Sequence, residues 1–97
     1  MNFLEFKASL GQNTPPSGLN QELQALWYAG KGDWQQSHEI AQQENTPGHC
    51  LVHAHLHRQE GDQWNANYWY QRAGRKMPKD SLSQEWEALV QEFLGAS

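Results

Sequence analysis

Four of the five histidines lie within nine positions, in the stretch HCLVHAHLHRQEGD from His49 to Asp62. Imidazole at this density suits a metal site, acid–base chemistry, or a helix that uses histidine structurally. On a helix, residues four apart lie nearly above one another. His49, His53 and His57 therefore form one ridge, Glu60 returns to its middle, and His55 points roughly the other way, towards Leu51 and Arg58. The ridge drifts by about 40° per step on a helix of about 3.6 residues per turn. An i, i+4 pair such as His53 and His57 has the spread that zinc takes from a helix. The general-base glutamate of HExxH helices is missing, because Ala54 follows His53. A third ligand would come from Glu60, from His49, or from His38 on the preceding helix. His53, His57 and Glu60 are thus the local candidate metal set, and His38 is the best distant candidate.

The same groups serve two other readings. In an acid–base enzyme, His53 and His57 carry protons and Glu60 acts as base or ligand. In a structural reading, histidines on a packed helix bridge core and turn, donating to a carbonyl or to Asp33 or Asp62. Cys50, the sole cysteine, has no partner for an intrachain disulfide and reads as a small buried hydrophobe.

The elements that position these side chains follow from an internal repeat. LQALWYAGKGDWQQSHEIAQ, from Leu23, aligns with VHAHLHRQEGDQWNANYWYQ, from Val52, at an offset of 29. Gly32-Asp33 matches Gly61-Asp62, Ala25 matches Ala54, Ser37 matches Ala66, and Ile40 falls on Trp69. Pro16, Pro47 and Pro78 punctuate the units at intervals of 31. Each Gly-Asp predicts a tight turn: glycine takes the left-handed residue that ends one helix, and the aspartate caps the next. Helices are expected at 19–30, 33–44, 48–60, 62–74 and 81–94. In the last, Leu82, Trp86, Leu89, Val90, Phe93 and Leu94 form the apolar stripe with glutamates and glutamines opposite, after a Ser81/Gln84 capping box. Phe3, Phe6 and Leu10 suit one more short helix. The expected organisation is a single all-α domain over 1–97. It comprises an N-terminal segment and loop at 1–18, hairpins at 19–45 and 47–75, and a capping helix at 80–95.

The helix–Gly-Asp–helix units, and GDQWNANYWYQRAG in particular, resemble tetratricopeptide and Sel1-like repeats, with Ala66, Trp69, Tyr70 and Ala73 at the matching positions of the second helix. The likeness covers about residues 19–94, with a period short of the 34 residues of a standard array and two hairpins in place of a longer stack. The fuller string, HAxLHRxEGDxxNAxYWYxRAG, is also similar to small bacterial proteins. What the resemblance implies is a fold of short helical hairpins and no particular activity.

Aromatic residues supply the second set of candidates. Trp69, Ala73 and Ala66, with Trp27, read as inward-facing core. Trp64 and Tyr68 lie on a neighbouring face, Tyr70 points away from that face, and these side chains are expected to stay out of full burial. Exposed rings near Arg72 suit a partner groove or a stack for a planar ligand. The leading expectation is a small intracellular binding module that takes a protein segment or small ligand through His38, His53, His57, Tyr68 and Arg72. A metal-dependent or acid–base enzyme is the alternative, and a homodimer that covers its aromatic surface against itself is a third reading.

Totals limit the other classes. A net charge of −4, from seven basic and eleven acidic side chains, argues against nucleic acid, whose binders draw affinity from basic surplus. The only basic cluster, Arg72, Arg75, Lys76 and Lys79, falls where a helix ends and complements its dipole. Two valines and one isoleucine favour helix over sheet. MNFLEFKASL carries Glu5 within its apolar stretch and does not read as a signal peptide, and no stretch reaches membrane-span length. A cytoplasmic protein without membrane or resident cofactor is the expectation, a divalent metal such as zinc being the one cofactor considered.

Overall fold

The computed structural model describes residues 1–96; Ser97, included in the expected domain, lies outside them. Among the described residues the chain is all-α, with six helices and no strand: α1 (Phe3–Ser9), α2 (Gln21–Gly30), α3 (Trp34–Ala41), α4 (Pro47–Gln59), α5 (Gln63–Arg72) and α6 (Leu82–Ala96). The five expected helices and the short N-terminal one are all present. The largest boundary difference is α3, which stops at Ala41 rather than residue 44.

Helix starts follow local chemistry. Asn20, Asp33, Thr46 and Asp62 each accept a hydrogen bond from the backbone N–H three residues on, satisfying one orphan first-turn donor. Pro47 opens α4 where its missing N–H costs nothing. Before α6, the Ser81 N–H donates to Gln84 Oε1 at 3.0 Å and the Gln84 N–H donates to Ser81 Oγ at 3.1 Å, a reciprocal cap. The two Gly-Asp turns share one backbone geometry. Gly32 and Gly61 have φ of +82° and +81°, a conformation that costs other L-residues about 1–2 kcal/mol. The amides of Asp33 and Asp62 reach back to the Tyr28 and His57 carbonyls, both at 2.9 Å.

These turns fold α3 back onto α2 and α5 back onto α4, the two most extensive helix pairings. α4 lies at the centre, touching α2, α3, α5 and α6, while α1 rests on α6. Every α4 side chain from His49 to Leu56 is buried, as expected of a helix covered on all sides. Small residues set the closest approaches. Ser37 and Ala66, which correspond in the repeat, are both fully buried, and Ser37 Oγ donates to the Ala25 carbonyl at 2.6 Å. The core gathers Leu23, Leu26, Trp27, Val52, Leu56, Val90 and their neighbours. Trp86 closes one end by donating from Nε1 to the Leu26 carbonyl at 2.8 Å while packing on Phe3 and Phe6.

Two face assignments need correcting. In α5 the buried ring is Tyr70, 1% exposed, because Ala66, Tyr70 and Ala73 (i, i+4, i+7) face α4; Trp69 is half-buried at the flank of that stripe. In α6, Leu82 is exposed while Glu85 is buried at 4%. Glu85 stands three residues after Leu82 and four before Leu89, hence on the apolar side, and its carboxylate is held by partners on α4 and α5.

Candidate functional site

Three of the histidines converge where α3, α4 and α5 meet. His38 projects from α3, and His53 and His57 project from successive turns of α4. His38 Nε2 and His53 Nε2 stand 3.0 Å apart, so one ring donates its N–H to the other's lone pair. His57 stacks on His53, with centroids 4.9 Å apart at 22°, and lies edge-on to His38 at 5.6 Å. One ring nitrogen from each of the three falls within 4.8 Å of the others. His53 is buried, and His38 and His57 are partly buried.

Indole rings wall the cluster. Trp34, one turn before His38, stacks on it at 4.7 Å and 10° and is pinned by an Nε1 donation of 2.9 Å to the Leu56 carbonyl. Trp69 from α5 stacks on the other face of the cluster, 4.0 Å from His53 at 15°. From Trp69 the array runs on to the surface. Tyr68 meets it edge-on at 5.1 Å, Arg72 lies over its ring at 5.3 Å, and Arg72 donates to the Tyr68 hydroxyl at 2.9 Å. The structure thus brings His38, His53 and His57 into direct contact and attaches Tyr68 and Arg72 through Trp69.

Glu60 takes a different place from that of a third ligand beside His53. Its carboxylate accepts from His57 Nδ1 at 2.7 Å, and the close groups are His38/His53/His57 and, separately, His57/Glu60/Asp62. Asp62 in turn is engaged as the α5 cap. His49 leaves the ridge. Two steps of drift turn it towards α2, where Nε2 donates to Gln21 Oε1 at 2.9 Å and Nδ1 lies 2.7 Å from the Thr46 hydroxyl.

Burial in this setting penalises charge. The His53 imidazole is pushed down to about 4, by desolvation first and then by His38 and His57. His38 is also held below its ordinary value, by desolvation and His57, against the opposing pull of Glu60 and Glu39. At neutral pH these two rings are uncharged and carry lone pairs on nitrogen, the form in which imidazole binds metals and accepts hydrogen bonds.

His55, set aside at the sequence level, lies on the opposite side of α4 in a second polar centre. Its Nδ1 donates to Glu85 Oε1 at 2.6 Å, and both groups are buried. Arg58 donates to the same oxygen at 2.9 Å and to the Asp80 carbonyl. Tyr70 donates to Glu85 Oε2. Burial alone would raise the Glu85 carboxyl, but the donors His55, Tyr70 and Arg58 outweigh it and hold the group below its ordinary value. Burial and the adjacent carboxylate push the Tyr70 phenol upward. Cys50 is buried, as expected.

Comparison with protein-family models, curated proteins and solved structures finds no match to this chain. No helix among the described residues is long and apolar enough to cross a membrane.

Proposed function

We propose that the chain is a small binding module, two hairpins of tetratricopeptide or Sel1-like character with a capping helix, that takes a ligand on the face where α3, α4 and α5 meet. The observation that carries this reading is the convergence of three imidazoles from two helices between two indole walls. The cluster offers nitrogen lone pairs where two of its rings remain partly open. Next to it, Tyr68 and Trp64 are 43% and 77% exposed, and stack nearly parallel with centroids 6.4 Å apart. Exposed Trp, Tyr and Arg of this kind are the side chains that carry binding energy at recognition surfaces. The matched turns and the small residues Ser37 and Ala66 support the repeat-like character.

The test is a nuclear magnetic resonance titration of the labelled protein with a library of planar heteroaromatic and carboxylate fragments and a panel of peptides. At least one probe class is expected to shift His53, His57, Tyr68 and Arg72 together. Shifts confined to other surfaces, or none, would remove the reading.

A second reading, a metal-dependent or acid–base enzyme, is favoured by one contact. His57 is oriented by Glu60 as a catalytic base is oriented by a carboxylate. A hydrolytic activity that His57→Gln eliminates would move the assignment to it.

A further inference from the structure

We propose that His38, His53 and His57 are the three protein ligands of a late first-row divalent cation, zinc foremost, with Glu60 orienting His57 from behind. The proposal rests on the binding face described above and names its ligand.

The geometry supports it in four ways. Two nitrogens bound to one zinc at about 2.0–2.1 Å stand roughly 2.9–3.4 Å apart for angles between right and tetrahedral. The Nε2 atoms of His38 and His53 are already 3.0 Å apart. The third nitrogen lies within 4.8 Å of both, and it belongs to a partly buried ring on the next turn of the same helix, which would reach the ion by a side-chain rotation. Second, the Nδ1 of His57 is occupied by Glu60 at 2.7 Å, which leaves Nε2 to bind. A carboxylate on the far nitrogen is the usual companion of a metal-ligating histidine, fixing its tautomer and raising its basicity.

Third, the ligands are prepared. The stacks of Trp34 on His38 and Trp69 on His53 fix both ring planes. Fourth, the donor set chooses the ion. Three imidazoles suit zinc, copper and nickel, whereas magnesium and calcium take oxygen ligands. No fourth side chain joins the close group among the described residues. The fourth coordination position would therefore face outward, open to water or to a donor atom on whatever the module binds.

The experiment is calorimetric titration of the untagged protein with Zn²⁺, together with the visible spectrum after Co²⁺ addition. One ion per chain and the intense bands of four-coordinate cobalt are expected. His38→Gln and His57→Gln should each weaken zinc at least about 100-fold, and Glu60→Gln about 10- to 100-fold. His49→Gln should bind as the parent does, with circular dichroism verifying that every variant remains helical. Absence of binding, or binding that survives both His38→Gln and His57→Gln, would overturn the proposal. If zinc fails while the fragments or peptides still shift His53, His57, Tyr68 and Arg72, the metal falls and the binding module stands. If both fail, both readings fall.

Discussion

Helix α4 carries two histidine centres on opposite sides, and they differ in what their nitrogens meet. His55 faces a buried carboxylate that also takes Arg58 and Tyr70, so every Glu85 oxygen is used. His53, two residues earlier, faces two further imidazoles and an indole. The first centre ties α4 and α5 to α6 through charge-assisted hydrogen bonds and is closed. The second places imidazoles together, with His53 and His38 held uncharged by burial and by their neighbours, and opens at its rim. One residue type on one helix thus serves cohesion where an acid is enclosed with it, and availability where none is.

Removing the acid from the closed centre should have the largest effect. Glu85→Ala leaves the buried donors of His55, Tyr70 and Arg58 without their acceptor and should cost about 3–5 kcal/mol, the range for breaking a buried charged network. Urea denaturation measures it. A loss below about 1 kcal/mol would mean that α6 docks through its apolar stripe alone.

Acid should separate the two centres by pH. His53 is lowered from 6.5 to about 4 on folding, so the unfolded chain binds a proton more readily than the folded one between those values. The stability owed to the uncharged ring is complete above about pH 6.5 and is lost progressively as pH falls towards 4, with His38 contributing in the same direction. Glu85, held below its ordinary 4.5, adds a further loss only below that value. In metal-free protein, His53→Gln should flatten the upper part of the acid limb and leave the lower part intact. An unchanged profile between pH 4 and 6.5 would count against the crowding of the three rings.

The smallest effect belongs to the rim. Glu60 is exposed, and solvent-exposed pairs contribute about 0–1 kcal/mol, so Glu60→Gln should shift the thermal midpoint of metal-free protein by no more than a few degrees. A large shift would reassign Glu60 from orienting His57 to holding the turn.

The open centre was largely legible in the sequence and the closed one was not. The four-residue spacing of His53 and His57 set them on one side of α4, and the Gly61-Asp62 and Gly32-Asp33 turns required hairpins, which bring His38 alongside. The stack of Trp34 on His38 follows from the same four-residue spacing. His49 fits the spacing equally well but sits where α2 packs, and periodicity along one helix cannot say which neighbour covers which turn. Residue type groups Glu85 with the solvent-facing glutamates, although its spacing from Leu89 puts it on the apolar side. A carboxylate at such a position signals a buried partner, but that partner, His55, lies 30 residues away in the chain. Tyr70 departs from its expected exposure for a related reason: its hydroxyl finds an acceptor inside the fold, on Glu85.

The separations of those contacts have a consequence for the order in which the chain can assemble. Each hairpin is closed by a three-residue turn and stabilised by contacts between neighbours in sequence, the kind that form quickly. The bonds to Glu85 span 15, 27 and 30 residues. During synthesis from the N-terminus, α4 and α5 are complete before Glu85 exists. His55, Arg58 and Tyr70 lack their shared acceptor until the sixth helix emerges and brings Glu85 between them. The last helix therefore completes the closed centre, whereas the contacts of the imidazole face on the far side of α4 are made among α3, α4 and α5 alone.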